Sequence, residues 1–426
     1  MLVEFSGEQF AQIVAPLIFL RFLVKFYLAR RQENYVWNKR QEVPLRFQEK
    51  VSAEDHFKAA SYTQTKLRFE RLFLAYETLI LWFWTLGGGL SRLCDIINSL
   101  YATQSSILFG LLFIFCFGII EFVLSLPATL TSTFYIEEKF GFNKTDAKTF
   151  IIDALKQLLV SILLGGPLIA GLIFIMERLQ SNWFWVGQLF LMGIQLLMML
   201  IYPKFIAPLF NKFTPLEDEE LKKKIFSLLD KAGFKSDGIF VMDASKRSSH
   251  GNAYFTGIGK NKRIVFFDNL IKNLTHDETI AVLAHELGHF KKKHVLKMMV
   301  ISWLFSFSGL FILSFLQQQD WFYEAFKLSP QLHPLPISLL LFSMITPLMT
   351  YFMAPLMTLY SRKCEYEADE FASQHASPQK LIDALVKLYK ENASTLTPDP
   401  LYVAIYHSHP SAIERIHHLE KLALAK

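Results

Sequence analysis

The chain has 426 residues, enough for several domains, and a formal net charge of +6 at pH 7. Hydrophobic residues make up 52% of it and charged residues 19%, which is less than the charged quarter, roughly, of an average soluble domain. The apolar residues come in blocks with lysines and arginines at their ends, which indicates a membrane protein and argues against a nucleic-acid partner. Three scattered cysteines argue against a disulfide framework and a cysteine metal site.

Seven apolar stretches approach the length of about 20 residues that a membrane-spanning helix needs. They are residues 8–28, 72–90, 106–130, 157–176, 183–203, 298–316 and 336–360. The first contains Arg21 and Lys25, which either snorkel to an interface or face a polar interior. The third contains Glu121. Because acids within membranes rarely face lipid, we expect Glu121 to be a buried or cavity-facing functional acid rather than the sign of a misplaced helix end.

The positive-inside rule predicts how these helices are oriented. Lysines and arginines concentrate in the segments 30–68, 131–150, 204–294 and 361–426. These segments are therefore predicted to be cytoplasmic, with the N-terminus outside and the C-terminus inside. The opening MLVEFSGEQ carries acids in place of a basic region, so the first apolar stretch is expected to stay as a helix rather than act as a cleaved signal.

The segment before the sixth apolar stretch has the pattern of a folded domain. Thr214 and Glu217 predict a capping box for an amphipathic helix that ends near Ala232. Thr275 and Glu278 predict a second capping box and the start of another helix. Strands are predicted between these helices, the last two joined by Gly-Lys-Asn-Lys, at residues 239–242, 252–257 and 263–267.

The second of these helices contains His-Glu-Leu-Gly-His at residues 285–289. Residues four apart share a helix face, so His285 and His289 can present two imidazoles to one ion, with Glu286 beside the first. Zinc binds imidazole nitrogen, keeps an open position and lowers the pKa of its water to about 7, and a neighbouring carboxylate can take that proton. The pattern indicates a zinc hydrolase. The alternative is a charged surface helix with incidental histidines.

The third ligand is not obvious from this helix. His294 comes five residues after His289, so on a continuous helix it would point about 140° away, towards an interface or solvent. A longer motif, HExxHxxGxxH, supplies its third histidine from the same segment. Lys292 and Val295 stand where that motif needs glycine and histidine, which excludes it.

Another candidate lies beyond the last two apolar stretches, in SRKCEYEADEFA at residues 361–372. Glu365 and Asp369 are four apart and share one face of a predicted helix. Glu365 can serve as the third zinc ligand, and Asp369 can hydrogen-bond a ligand histidine or the water of the site. Glu367 lies on another face, where we expect it to be solvated. Without the histidine helix, an ordinary acidic helix would be the simpler interpretation.

Seven segments resemble those of one protein family. They are VPLRFQEKVSAEDHFKAASY at 43–62, FYIEEKFGFNKT at 134–145, LFNKFTPLED at 209–218, SSHGNAYFTGIG at 248–259, HELGHFKKKH at 285–294, SRKCEYEADEFA at 361–372 and HSHPSAIERI at 407–416. On these segments, and over nearly its whole length, the sequence resembles the integral-membrane zinc metalloproteases of the M48 type, in the CAAX prenyl protease 1 or Ste24-like group.

This resemblance implies roles for the candidate residues. His285, His289 and Glu365 would bind one zinc ion, and Glu286 would be the general base. Asp369 would support a zinc ligand or donate a proton.

The resemblance also implies substrate contacts. Asn252, with Ala253 and Tyr254, would lie on an edge strand that pairs with the substrate backbone. His409 would stabilise the charge that develops on the scissile carbonyl oxygen. Arg415 is a further candidate for a polar contact in the site. The structural alternatives are a turn residue at Asn252 and a packed or capping histidine at 409.

The resemblance implies a mainly α fold. Seven transmembrane helices would enclose a chamber beneath a cytoplasmic α+β protease domain of the gluzincin type with a small β-sheet. The predicted division is an N-terminal membrane region with five transmembrane helices and cytoplasmic loops 30–68 and 131–150 (1–203), a first protease segment with the HExxH helix (204–297), transmembrane helices six and seven (298–360) and a second protease segment with the third ligand (361–426).

We therefore expect a membrane-embedded zinc endopeptidase that cleaves near the C-terminus of CAAX-type polypeptides, prenylated ones above all. One alternative is a quality-control protease of broad specificity. Another is a transporter or scaffold with a vestigial metal site, against which the complete set of ligands argues. The expected partners are a peptide or protein substrate and membrane lipid, for a monomeric chain. A bacterial inner membrane is favoured, or the ER membrane if the host is a eukaryote.

Overall fold

The computed structural model describes residues 5–101, 105–234, 236–256 and 262–424. The chain is mainly helical with one small sheet. Its helices are α1 Gly7–Asn38, α2 Ala53–Trp84, α3 Gly89–Leu100, α4 Ser106–Thr131, α5 Glu138–Phe140, α6 Ala147–Leu179, α7 Trp183–Ile201, α8 Ala207–Phe210, α9 Glu219–Lys231, α10 Asp268–Asn273, α11 His276–Lys291, α12 His294–Leu316, α13 Asp320–Glu324, α14 Pro334–Thr350, α15 Ala354–His375, α16 Pro378–Glu391, α17 Pro400–Tyr406 and α18 Ala412–Leu424.

The apolar stretches form long helices, as predicted. In the described part of the chain, five helical stretches are long and apolar enough to cross a membrane: Gly7–Asn38, Ser106–Phe140, Ala147–Phe210, His294–Leu316 and Pro334–His375. A sixth results if α2 and α3, which are bent by 52° at their junction, count as one span. The stretch Ala147–Phe210 contains two predicted windows and turns back at Gln180, so that α6 packs along α7. Seven separate spans are not confirmed and stay a prediction.

Three of the charged residues inside the predicted spans, Lys25, Arg21 and Glu121, have polar or aromatic neighbours. Lys25 lines a cavity of about 570 Å³. The guanidinium of Arg21 lies 6.0 Å from the centre of the Tyr351 ring. Glu121 is half-buried and accepts a hydrogen bond from the indole nitrogen of Trp84. These neighbours explain how the three charged residues can lie among apolar helices. A functional role of Glu121 stays a prediction.

The sheet contains the three predicted strands and one more. The strands are β1 Phe213–Pro215, β2 Ile239–Met242, β3 Ala253–Thr256 and β4 Arg263–Phe267. Their order is β1-β2-β4-β3, in which β2 and β4 are parallel and the other pairs antiparallel, so β3 is an edge strand. Most of the predicted turn between β3 and β4 lies outside the described residues.

The predicted capping box at Thr214 is wrong. Thr214 lies in β1 opposite Val241, so its backbone belongs to the sheet. Helix α9 begins at Glu219 instead, and the side chain of Asp218 caps it by accepting a hydrogen bond from the Leu221 N–H at 2.9 Å. Pairing with β2 outweighs the local helix-start signal, because the strand satisfies backbone groups that a helix would otherwise use.

One hydrophobic core joins parts of the chain that are far apart in sequence. Leu283 of α11, Leu385 of α16 and Ile416 of α18 are buried in it together with residues of the sheet. Phe47 and Val51, from the predicted loop 30–68, are buried in the same core. The segments before and after α12–α14 therefore pack as one unit, and this packing brings α11 against α15.

Candidate metal centre and active site

Helix α11 begins at the predicted capping box. The Thr275 hydroxyl accepts a hydrogen bond from the Glu278 N–H at 3.4 Å, and the Glu278 carboxylate accepts one from the Thr275 N–H at 2.7 Å. The helix then runs through the core, and its two histidines come together one turn apart. The Nε2 atoms of His285 and His289 are 3.2 Å apart.

A glycine allows α11 and α15 to approach closely. A Cβ atom on Gly288 would lie 3.0 Å from the Ala368 Cα and 3.1 Å from the Ala368 carbonyl oxygen. Contacts this short force the helices apart, so glycine is the residue that fits here. The close approach sets Glu365 and Asp369 of α15 opposite the histidines of α11.

Two imidazoles and one carboxylate form a cluster at this crossing. The ligand atoms of His285, His289 and Glu365 all lie within 4.8 Å of one another. His285 Nε2 is 3.5 Å from Glu365 Oε2, and His289 Nε2 is 3.3 Å from Glu365 Oε1. Tetrahedral zinc with bonds of about 2.0–2.1 Å separates its ligand atoms by about 3.3–3.5 Å, so the cluster has the size that zinc requires.

The carboxylate of Glu365 also has the chemistry of a cation ligand. Its Oε2 atom is buried and makes no hydrogen bond of good geometry to any described residue. Although burial raises the pKa of Glu365, its attraction to the neighbouring imidazoles of His285, His289 and His409 holds that pKa far below its usual range. A buried, ionised oxygen without a full set of donors is suited to a metal ion.

A buried ionic network holds His285. Asp369 Oδ1 is 2.8 Å from His285 Nδ1, and the carboxylate also accepts hydrogen bonds from Arg415 Nη2 at 2.5 Å and Nε at 3.0 Å. Burial raises the pKa of Asp369, but the Arg415 charge and the His285 hydrogen bond outweigh it and lower that pKa to about 2. Burial and the Arg415 charge lower the pKa of His285, and hydrogen bonds with Asp369 and Glu365 outweigh them and raise it to about 9.

Arg415, the further candidate from the sequence, lies within the cluster. Its guanidinium Nη1 is 3.6 Å from Glu365 Oε2, in addition to its bonds with Asp369. Only 6% of Arg415 is exposed. One buried cation thus lies between the two buried carboxylates and offsets their charge.

A second set of partners, which the sequence did not indicate, holds His289. His289 Nδ1 is 3.1 Å from His294 Nδ1, and His294 Nε2 is 3.0 Å from the Glu367 carboxylate. His294 is buried, so the prediction that it points to an interface or solvent is wrong, as is the prediction that Glu367 is merely solvated. The helix does not continue past Lys292: Lys293 has a φ of 57°, and His294 starts a new helix that turns its ring back to the cluster.

Two further predicted residues, Glu286 and His409, are neighbours of cluster residues. Glu286 is half-buried, and it has no hydrogen bond or ion pair within the described chain. His409 is 63% exposed, and its Nδ1 lies 2.9 Å from Glu365 Oε2. His409 is therefore not a packed core residue, and its ring borders the metal cluster.

The predicted substrate strand is β3, which packs against α11. Asn252 directly precedes β3: its carbonyl accepts a hydrogen bond from the Phe267 N–H at 2.9 Å, and its side-chain oxygen accepts one from the Ala253 N–H at 2.8 Å. Ala253 is buried, and Tyr254 packs edge-on to Phe267 on the opposite face. Burial raises the pKa of Tyr254 to about 12. These contacts hold the Asn252 and Tyr254 side chains against the sheet, and a role of the three residues in binding substrate stays a prediction.

A cavity of about 580 Å³ opens beside the cluster and is lined by His409 and His407. It shares Glu70, Tyr402 and Tyr406 with the cavity of about 570 Å³ between the membrane helices. The two cavities therefore adjoin, one beside the membrane helices and the other beside His409.

Comparisons with known proteins agree with this architecture. Residues 32–212 match the family model for the CAAX prenyl protease N-terminal region with five membrane helices, and residues 215–423 match that for peptidase family M48. CAAX prenyl protease 1 of Saccharomyces cerevisiae is 34% identical over 97% of this chain and 96% of its own length. The chain belongs to peptidase family M48.

Other members of the M48 family extend the match. The CAAX prenyl protease 1 homolog of Arabidopsis thaliana is 35% identical, with 96% of each chain covered. The crystal structure of S. mikatae Ste24p has a TM-score of 0.90 at 34% identity and covers 96% of this chain and 99% of that one. The chain is thus a zinc metalloendopeptidase and an integral, multi-pass membrane protein with a Ste24p-like fold.

Proposed function

We propose that this M48 protease cleaves near the C-terminus of CAAX-type polypeptides, prenylated ones above all. The observation that carries the proposal is the crossing of α11 and α15, where His285, His289 and Glu365 meet beside a cavity. Relatives named CAAX prenyl protease 1 match over nearly the whole chain, membrane helices included.

In this proposal His285, His289 and Glu365 hold one zinc ion. When bound, zinc would supply Lewis-acid chemistry, which polarises a carbonyl and acidifies water at neutral pH. Glu286 is the general base: it follows His285 on the helix, and it is not engaged by any described partner. A carboxylate so placed is free to accept the proton of an attacking water and pass it to the leaving amine.

The two supports orient the imidazoles. With zinc bound, His285 would donate its Nδ1 hydrogen to Asp369 and present the lone pair of Nε2 towards the cluster centre. On the other side, His294 donates from Nε2 to Glu367 and accepts at Nδ1 from His289, so His289 Nε2 also turns a lone pair inwards. Asp369 and His294 are thus positioning residues for two different ligands.

The substrate would lie between β3 and His409. An extended peptide can add to the free edge of β3 through backbone hydrogen bonds, which tolerate many side chains. Asn252 would mark the end of this edge, where its amide accepts the Ala253 N–H. His409 is exposed next to Glu365 and can donate a hydrogen bond to a carbonyl oxygen as negative charge develops there.

The membrane region would deliver the substrate. We propose the division predicted above, with residues 204–297 and 361–426 forming a cytoplasmic protease domain and the N-terminus outside. The adjoining cavities that share Glu70, Tyr402 and Tyr406 would belong to a chamber between membrane helices. A prenyl group can then stay near lipid while the tail reaches the zinc, and a monomer suffices for this path.

The test compares two substrates on the purified, zinc-loaded protein. Cleavage of a farnesylated CAAX peptide is expected, with slower cleavage of the same peptide without the prenyl group. Glu286→Gln should bind zinc as the wild type does and lose at least about 100-fold in rate, the lower range for a general base. Glu370→Gln, on an exposed face of α15, is the matched control and should keep full activity.

Two results would contradict the proposal. Unchanged cleavage by Glu286→Gln would show that Glu286 is not the general base. Equal or faster cleavage of an unfolded, unprenylated membrane protein would favour the alternative of a quality-control protease, which the sequence-tolerant edge of β3 would also serve.

A further inference from the structure

A basic pocket lies on another part of the molecule, where the membrane helices meet the sheet. Its volume is about 880 Å³, and its walls come from the start of α6, from α8 and from the strands β1, β2 and β4. Six cationic side chains line it, against three aspartates: Lys144, Lys156, Lys212, Lys246, Arg247 and Arg263. The pocket therefore has an excess of positive charge.

The aspartates are already used within the pocket. Asp153 accepts two hydrogen bonds from Arg247, at 2.7 and 3.1 Å, and Asp243 pairs with Lys246 at 2.6 Å. Asp146 caps α6 by accepting the Thr149 N–H at 2.7 Å. Asp153 and Asp243 are therefore paired with cations of the pocket, and Asp146 is bound to the start of α6.

Three lysines of the pocket have no carboxylate partner among the described residues: Lys156, whose ammonium donates a hydrogen bond to the Leu209 carbonyl at 2.6 Å, Lys144 and Lys212. Lys144 and Lys212 are exposed, and their ammonium groups have no ion-pair partner among the residues that the structure describes. They stand on two different segments of the pocket wall. An anionic group between them would make favourable contacts that no side chain of the described chain provides.

The surface next to the pocket is apolar. Ile152 and Leu209 line the pocket and are 40% and 47% exposed. Further along α6, Leu155, Leu159 and Leu163 are 61%, 56% and 61% exposed, within a helical stretch that qualifies as a membrane span. The basic pocket thus continues into a surface suited to acyl chains.

From this combination we propose that the pocket binds the headgroup of an anionic phospholipid, whose acyl chains lie along α6. A phosphate between Lys144 and Lys212 balances the excess charge, and the chains cover the exposed leucines. Basic pockets beside membrane helices bind acidic headgroups in this way. The bound lipid bridges the membrane helix α6 and the strand β1, and the site is separate from the metal cluster and independent of the proposed substrate.

Native mass spectrometry of the delipidated full-length protein tests this proposal. Dioleoylphosphatidylglycerol and dioleoylphosphatidylcholine are added in separate titrations, and inorganic phosphate is added as a competitor. The anionic lipid should bind at least about 10-fold more tightly than the zwitterionic one. Each lysine near a headgroup is worth about fivefold in affinity, so Lys144→Gln with Lys212→Gln should weaken binding of the anionic lipid about 25-fold.

Two further double variants serve as controls. Lys144→Arg with Lys212→Arg keeps both charges and should bind as the wild type does. Lys223→Gln with Lys231→Gln removes two exposed lysines of α9 and should change nothing. Equal binding of the two lipids, an equal loss in the α9 variant, or full displacement of the anionic lipid by inorganic phosphate would each overturn the proposal.

Discussion

The two histidines of the metal cluster are held by different kinds of support. His285 rests on Asp369 and Arg415, which are 0% and 6% exposed and carry full charges. His289 rests on His294, which is buried and hydrogen-bonds Glu367, a residue whose side chain is 28% exposed. Because charges without partners are far more costly inside a protein than at its surface, the two supports should respond differently to mutation.

The largest effect is expected from Asp369→Asn. This change removes a charge and leaves the Arg415 guanidinium buried without its main partner. Breaking a buried ion pair costs about 3–5 kcal/mol, so the free energy of unfolding should fall by roughly 3 kcal/mol. Denaturant unfolding in detergent, together with zinc content, measures both consequences. Glu370→Gln, at an exposed position, is the control. Equal stability of the two variants would show that the Asp369–Arg415 ion pair does not stabilise the fold.

A smaller effect, on zinc more than on folding, is expected from His294→Ala. Loss of a partner that orients a metal ligand lowers metal affinity about 10–100-fold. Competition with a chromophoric chelator measures this affinity. Glu367→Gln should cost less than His294→Ala because water can reach that side chain.

The control for His294 is His276→Ala, a half-buried histidine at the start of α11 and far along the helix from the cluster. If His294→Ala and His276→Ala bind zinc equally well, His294 has no role in orienting His289.

Gly288→Ala disturbs both supports at once, since it separates α11 from α15. The new Cβ would meet Ala368 at 3.0–3.1 Å, and overpacking of this kind costs about 1–3 kcal/mol. We expect a loss of stability near the lower end of this range and weaker zinc binding. Gly193→Ala in α7, where a Cβ meets nothing within 4 Å, is the matched control, and an equal result for the two would show that the close approach is unimportant.

The smallest effect, and one that leaves zinc untouched, is expected from Glu278→Gln at the start of α11. Burial raises the pKa of Glu278, but hydrogen bonds from Lys387 and the Thr275 N–H outweigh it and lower that pKa. A lowered pKa stabilises the fold above the ordinary value of about 4.3, and this contribution is lost as the pH falls through the lowered pKa.

Wild type should therefore be about 1 kcal/mol more stable than Glu278→Gln at pH 7, with the difference shrinking below about pH 4. Unfolding midpoints measured at several pH values check this. A constant difference at every pH would rule out the ionised carboxylate as its cause.

Much of this molecule could be predicted from local pattern. The spacing of His285 and His289, and of Glu365 and Asp369, places each pair on one helix face, which the structure confirms by bringing both pairs to one crossing. The capping box at Thr275 and three of the four strands are confirmed as well. These features depend on residues that are close in sequence, so the local sequence pattern is enough to predict them.

Other features depend on partners that are distant in sequence. Lys293 adopts a left-handed conformation without glycine or asparagine to announce it, and this turns His294 towards His289. Thr214 joins a strand because β2 is beside it. Lys144 and Lys212 line one basic pocket although they are far apart in sequence, and neither segment has a local pattern that predicts this.

By itself, then, the sequence determined the membrane character and the residue pairs His285/His289 and Glu365/Asp369, because these are encoded in composition or in spacing along a helix. The family followed from the resemblance of seven segments. Only the tertiary structure showed which residues hydrogen-bond His285 and His289, that Arg415 lies beside the cluster, and that a basic pocket forms at the start of α6. Those contacts arise when helices from opposite ends of the chain pack together, and their energies come from burial and paired charge, which no short stretch of sequence contains.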